Sequence, residues 1–197
     1  MTQFTSMLTA ALYAALVQNM IFSTGYGMSE SIRMAKRPKH FFMYGGTVTF
    51  FSLALSLICF LLNRIPFVFS LDTKYRIALY AAVLLLLYLV TALFCLTALK
   101  ADKKFMNSLG MCALNTLVIA LPVVNFKAGY TLAETVGMGI GAGIAFTLSM
   151  LLINTGMKHI RNNRYIPEIF RGTPALFIYI SLIALAMSCI SGQSLFV

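Results

Sequence analysis

Six long apolar runs divide this 197-residue chain, and they constrain its fold more than any other feature. A helix needs about 20 mostly apolar residues to cross the hydrocarbon core of a bilayer. Only 10% of the residues are charged, whereas soluble domains average about 25%. We therefore expect one all-helical integral membrane domain with six transmembrane helices. The six runs cover residues 4–28, 41–63, 75–99, 105–124, 132–156 and 172–196.

The basic residues are distributed unevenly between the connections, and this predicts an orientation. Of the 15 Lys and Arg residues, 11 lie in or beside the first, third and fifth connections. Connections rich in Lys and Arg are usually cytoplasmic. We therefore expect both termini to face the outside of the cell membrane. Because the positive charge belongs to these short connections, the net charge of +10 does not indicate nucleic-acid binding.

The order of features in the first half of the chain returns in the second half, about 95 residues later. Arg76 opens the third run and Arg171 opens the sixth, while Asn19 in the first run corresponds to Asn115 in the fourth. A duplicated unit with three crossings must invert, because an odd number of crossings turns the second copy over. We expect two inverted three-helix repeats, residues 1–99 and 100–197, with a pseudo-two-fold axis in the membrane plane.

Polar residues and helix breakers interrupt the first and fourth runs. Side-chain amides at membrane depth are costly unless another group bonds them, and paired interrupted helices mark the central site of many transporters. We expect a polar site near the bilayer midplane, where Asn19 and Asn115 face each other. The alternative is that each Asn only attaches its helix to a neighbour. The residues of the expected site are Gln18, Asn19, Gly25, Gly27, Asn115 and Thr116.

Glycines cluster in the second and fifth runs, at Gly45, Gly46, Gly139, Gly141 and Gly143. Small residues at such spacings let two membrane helices approach closely. A phosphate-binding loop is the other interpretation, but the second cluster has no Lys-Ser or Lys-Thr ending and lies in an apolar run. We expect these glycines to serve helix packing.

The last connection and the sequence around the two helix breaks resemble a known family. Residues 166–172 read Ile-Pro-Glu-Ile-Phe-Arg-Gly, ending in Phe170, Arg171 and Gly172, and the following apolar run closes in Ser-Gly at 191–192. Asn19 precedes Tyr-Gly-Met-Ser-Glu at 26–30, and Leu-Asn-Thr occupies 114–116. On these motifs, essentially the whole chain resembles the six-helix membrane subunits of Rnf/Nqr ion-translocating electron-transport complexes.

The resemblance implies a place in an oxidoreductase-type complex of the inner, or cytoplasmic, membrane. Its partners would be the lipid bilayer, a second six-helix subunit that is either homologous or a second copy, and redox subunits that carry flavin or clusters. It also implies an iron–sulfur cluster held by one Cys from each half of two paired subunits. Here Ser29 stands at the first ligand position and Thr116, or Ala120 in another register, at the second. Because a cluster needs thiolates or close substitutes, we expect this chain alone to bind no cluster or other metal.

Two functions are compatible with the sequence. The first is a non-catalytic subunit that scaffolds or contributes to a transmembrane electron or ion path with a paired six-helix subunit. The second is a small transporter or channel-like module that binds a solute or ion between the repeats. The sequence assigns no catalytic residue, because none of the five acidic residues lies in the middle of a run and both His lie at the ends of basic connections.

Overall fold

The computed structural model describes residues 2–98, 100 and 102–191, and all the regular elements within them are helical. A π-helical segment, Tyr13–Val17, follows the first helix, and a 3-10 turn, Pro38–His40, precedes the fourth. The α-helices are α1 (Thr2–Leu12), α2 (Met20–Thr24), α3 (Met28–Ala35), α4 (Phe41–Leu62), α5 (Pro66–Phe69), α6 (Thr73–Thr97), α7 (Lys103–Ala113), α8 (Thr116–Lys127), α9 (Leu132–Asn162) and α10 (Thr173–Ser191).

Five helical stretches in the described residues are long and apolar enough to cross a membrane. The first apolar run differs, since its longest helical piece, Thr2–Val17, is shorter than a full span. These lengths and compositions confirm the expected all-helical membrane class. The expected ends of two runs, at Leu99 and Phe196, and the Gly192 of the closing Ser-Gly lie outside the described residues. The five stretches are Pro38–Leu62, Thr73–Thr97, Phe105–Lys127, Leu132–Asn162 and Thr173–Ser191.

Several helix boundaries differ from those expected from the apolar runs. The fifth helix continues to Asn162 instead of residue 156, because Lys and Arg are good helix formers whose long side chains can reach water from a helix end. The fourth run continues to Lys127, which places Asn125 in a helix and not in a connection. The first run is broken into three helices, α1, α2 and α3, by its polar residues and glycines.

Helices α4 and α9 cross at the centre of the fold, at two glycine–threonine contacts. A Cβ on Gly143 would overlap Thr49 Oγ1 and lie 2.7 Å from Thr49 Cβ, and a Cβ on Gly45 would overlap Thr147 Oγ1. The two Thr hydroxyls donate to the carbonyls four residues earlier, at 2.7 Å for Thr49 and 3.0 Å for Thr147. The crossing is therefore close because both glycines lack side chains.

The remaining glycines of the two clusters have different surroundings. A Cβ on Gly141 would overlap the Ala11 carbonyl oxygen in α1, whereas a Cβ on Gly139 would lie 2.7 Å from Leu53 Cδ2 in α4. Alternate glycines of α9 thus face two different helices. A Cβ on Gly46 would meet no described atom within 4 Å, so Gly46 is not part of the crossing.

Helices α6 and α10 lie at the periphery. Helix α6 packs on α4, α7 and α8, and α10 packs on α9, α2 and the π-helical segment. Within α10 the buried residues are Leu176 and Ile180, while Leu182 and Phe177 are among those exposed. These outer surfaces suit contact with lipid or with another membrane protein.

Candidate functional site

The first apolar run breaks at Gln18 and Asn19, and the Asn19 side chain repairs the break. The Gln18 N–H donates to the Tyr13 carbonyl at 2.7 Å and ends the π-helical segment. The buried Asn19 amide accepts from the Ile21 N–H at 3.2 Å and donates to the Ala15 carbonyl at 3.3 Å. Asn19 is therefore the N-cap of α2 and replaces backbone hydrogen bonds that the break leaves open.

The fourth run breaks in the same way at Leu114 and Asn115. Leu114 ends α7 with φ −85° and ψ 38°, and the Asn115 side chain accepts from the Leu117 N–H at 3.0 Å to cap α8. Asn115 is fully buried, and its Nδ2 has no hydrogen-bond partner among the described residues. A buried amide left unpaired costs about 1–3 kcal/mol. Asn115 Nδ2 is therefore the group of the two capping side chains that is free to bind something else.

Gly27 brings the two breaks together. Its backbone N–H donates to Thr116 Oγ1 at 2.8 Å, although the two residues are 89 positions apart. A Cβ on Gly27 would lie 2.8 Å from Asn115 Oδ1 and 3.1 Å from Leu117 Cβ. Gly27 has φ +76°, and Gly25, which ends α2, has φ +77°. Position 27 therefore requires glycine both for its left-handed backbone and for the space its missing side chain leaves.

The described hydrogen bonds of the two Asn side chains do not join them to each other. Asn19 bonds within its own run, and the Asn115 oxygen caps α8. The contact between the breaks is made by Gly27 with Asn115 and Thr116. That Asn19 and Asn115 face each other across a pseudo-two-fold axis stays a prediction.

The two positions at which the resemblance implies cluster ligands lie on the exposed side of this contact. Thr116 is exposed and bonded to Gly27, and the exposed Ser29 follows two residues later in the first turn of α3. Their oxygen donors are hydroxyls, which do not fit an iron–sulfur cluster. Cys112 is fully buried, with its Sγ 3.9 Å from Met34 Sδ. In the described part of the chain, no three His, Cys, Asp or Glu residues are grouped to hold a metal ion.

An apolar cleft of about 300 Å³ lies beside these residues. Tyr26 and Thr116 border it, together with Ala120 and Ile77. Ala120, the alternative ligand position, offers no donor atom. The cleft adds an apolar surface to the exposed hydroxyls of Ser29 and Thr116.

The Phe-Arg-Gly motif organises the last connection. Arg171 Nη2 donates to the carbonyls of Ile166, at 3.1 Å, and Arg164, at 3.4 Å. Gly172 has φ +108° and turns the chain into α10, and Phe170 is exposed. In the described residues this motif shapes the connection between α9 and α10.

The sequence analysis missed the Thr partners of the central glycines. Gly45 and Thr49 are four residues apart, and so are Gly143 and Thr147. This repeated Gly-x-x-x-Thr spacing was a usable signal, because residues four apart share a helix face.

The chain is similar to named proteins along most of its length. It is 24% identical over 192 residues to a protein of the ion-translocating oxidoreductase complex of Syntrophotalea carbinolica, covering 95% of this chain and 97% of that protein. It is 25% identical over 187 residues to a protein of the Na(+)-translocating ferredoxin:NAD(+) oxidoreductase complex of Acetobacterium woodii, covering 92% and 95%. A protein of the ion-translocating oxidoreductase complex of Aromatoleum aromaticum is 34% identical over 97 residues, 47% of this chain and 50% of that protein. Each of the three is named as the same subunit of its complex. No protein-family model matches the chain.

Proposed function

This chain is a divergent member of the Rnf/Nqr-like family of membrane subunits, and we propose that it contributes, with a paired six-helix subunit, to a transmembrane electron or ion path. The observation that carries the proposal is the joint between the two broken helices, where Gly27 bonds Thr116 on an exposed surface. The joint combines two interrupted membrane helices with positions open to a partner. The chain's own part is structural, since its donors there are hydroxyl, amide and backbone groups.

We propose that the paired subunit covers the surface around Thr116 and Ser29. Thr116 lies in the middle of the stretch Phe105–Lys127, so Gly27 lies at a similar depth. The turn beside it exposes Gly25 and Tyr26. Exposed, non-helical backbone does not occur against lipid in the hydrocarbon core, because its polar groups would be unpaired. A second six-helix subunit, homologous or a second copy, would exclude lipid from this turn.

Site-directed crosslinking tests this surface. Because Cys189 is exposed, a Cys189→Ser background is used. In membranes, Thr116→Cys should crosslink to a six-helix subunit with a short reagent. Ser181→Cys is the matched control, since Ser181 is exposed on α10 and its hydroxyl bonds only within that helix. Crosslinking at 181 without crosslinking at 116 would contradict the proposal. Flavin- or cluster-bearing subunits should copurify with the uncrosslinked chain in mild detergent.

We propose that the two halves are inverted repeats, and two arginines support this. Arg76 Nη2 donates to the carbonyls seven and five residues earlier, Phe69 at 2.9 Å and Leu71 at 2.8 Å. Arg171 Nη2 also donates to the carbonyls seven and five residues earlier. A duplicated connection and helix would retain such identical spacing.

The helix packing supports the same relation. Exchanging the halves maps the contact of Gly45 with Thr147 onto that of Gly143 with Thr49. It also maps α1 on α9 onto α7 and α8 on α4, and the packing of α6 onto that of α10. The exchanged contacts in α4 and α9 are 98 positions apart, so the offset near 95 varies along the chain.

We propose that both termini face outward from the inner membrane, on the basis of the 11 basic residues near the odd connections. A reporter active only outside the cytoplasm, fused at the C-terminus, should be active. Activity of a cytoplasmic reporter alone at that position would reverse the orientation.

We propose that the isolated chain binds no iron–sulfur cluster, because Ser29 and Thr116 carry hydroxyls. Anaerobically purified protein should show no cluster in its visible absorption or electron paramagnetic resonance spectrum. A stoichiometric cluster that disappears in Cys112→Ser would contradict this.

Binding of a solute or ion at the midplane is the second candidate function, and the unpartnered Asn115 Nδ2 favours it. Under this alternative, a solute should stabilise the purified chain without partners, and Asn115→Leu should abolish the effect. Cysteines introduced at positions 19 and 115 test whether the two amides share one site. If a short reagent never joins them while pairs across the α4–α9 crossing are joined, they do not.

A further inference from the structure

A cavity of about 400 Å³ lies near the second and fourth connections, apart from the joint between the broken helices. It is bounded by the ends of α4 and α8, the short helix α5 and the start of α9. Aromatic rings dominate its walls. The rings belong to Phe60, Phe69, Phe126 and Tyr130.

Three buried polar side chains line this cavity without hydrogen-bond partners among the described residues. Ser56 and Thr135 are each 1% exposed and Asn125 is 6% exposed. The unpartnered atoms are Ser56 Oγ, Thr135 Oγ1 and both Nδ2 and Oδ1 of Asn125. Buried polar groups in folded proteins are nearly always paired. Four such atoms around one space indicate a ligand that bonds them.

The charges around the cavity disfavour a cation. Arg64 lines it, with its guanidinium 5.4 Å from the centre of the Phe60 ring. Arg76 is stacked 3.7 Å from the centre of the Phe126 ring. No carboxylate is among the described lining residues. A ligand with electron-rich oxygens and no positive charge therefore suits this environment.

We propose that the cavity binds a small, flat, uncharged ring that carries carbonyl oxygens, the chemistry of a quinone. The Ser56 and Thr135 hydroxyls and Asn125 Nδ2 donate to the ring oxygens, and the aromatic walls contact its faces. Asn125 Oδ1 accepts from a ring hydroxyl when the ring is in its reduced form. Binding here requires no partner subunit, so it stands or fails separately from the proposed assembly.

Two probes of the same shape test the proposal on the purified full-length chain. Duroquinone is a fully methylated quinone without a free ring carbon for thiol addition, and durene is its hydrocarbon counterpart. Thermal unfolding is followed by circular dichroism at fixed detergent concentration. Duroquinone should raise the midpoint in a saturable way, and durene should not. Equal shifts from both probes, or none from duroquinone, would overturn the proposal.

Single-atom variants locate the binding. Ser56→Ala and Thr135→Val each remove one donor at nearly constant shape, and each should weaken duroquinone binding roughly 2- to 10-fold. Ser149→Ala is the matched control, because Ser149 is also buried and unpartnered but lies outside the cavity. Should Ser149→Ala weaken binding as much as Ser56→Ala, the assignment to this cavity is wrong.

Discussion

Replacing Gly27 by Ala should destabilise the protein more than the same change at Gly25. Both glycines are left-handed, with φ +76° and +77°. They differ in their surroundings, since a Cβ on Gly25 would meet no described atom within 4 Å. A Cβ on Gly27 would lie 2.8 Å from Asn115 Oδ1 and 3.1 Å from Leu117 Cβ. Gly25→Ala is therefore a matched control for backbone strain.

The expected magnitudes follow from these two terms. An L-residue in the left-handed region costs about 1–2 kcal/mol, and this is the whole expected loss for Gly25→Ala. Gly27→Ala adds overpacking of about 1–3 kcal/mol against a side chain that caps α8 and a Cβ fixed to the helix backbone. The total for Gly27→Ala is about 2–5 kcal/mol.

Unfolding in detergent, followed by circular dichroism, measures both losses. At about 2–4 °C per kcal/mol for a chain of this size, the Gly27→Ala midpoint should lie roughly 2–12 °C below that of Gly25→Ala. Thr116→Val removes the acceptor of the Gly27 N–H and should cost about 0.5–1.5 kcal/mol alone. It should cost less in the Gly27→Ala background if the clash has already separated the two runs. Equal midpoints for Gly25→Ala and Gly27→Ala would refute the joint described here.

Three further predictions use the same unfolding assay. Gly46→Ala should be neutral or gain up to about 1 kcal/mol from helix propensity, whereas Gly143→Ala should lose about 1–3 kcal/mol by overpacking against α4. Arg76→Gln should cost about 1.5–3 kcal/mol because the buried guanidinium bonds two carbonyls, whereas Arg171→Gln, on the exposed connection, should cost under about 1 kcal/mol. Burial, with the charges of neighbouring groups, raises the pKa of Tyr130, so its contribution is present below about pH 10 and lost as the pH rises through the raised value. Tyr130→Phe should therefore reduce the alkaline loss of stability.

The polar interruptions show how far sequence reasoning extends. Asn19 and Asn115 stand out because an amide within an apolar run needs a partner, and the structure caps a helix with each. Which partner each amide takes was not predictable, since a backbone N–H two residues away competes with any group across the fold. The described bonds are local, and the contact between the two breaks belongs to Gly27 and Thr116.

The cavity residues show where sequence reasoning stops. Asn125 falls at the boundary of an apolar run, where an Asn in a connection is ordinary, and the helix continues two residues beyond it. Ser56 and Thr135 are single hydroxyls in apolar helices, and most such hydroxyls bond their own backbone. Only the arrangement of α4, α8 and α9 places all three around one space.

The sequence by itself determined that this chain is a helical membrane protein and where its helices are interrupted. Both follow from local rules, because the bilayer needs long apolar helices and because Asn and Gly disturb a helix wherever they occur. The tertiary structure decided which glycines face another helix, distinguishing Gly143 from Gly46, and which polar atoms remain unpaired. These properties depend on the positions of residues far apart in the chain. Apolar helices that all suit lipid carry little information about which of their faces meet.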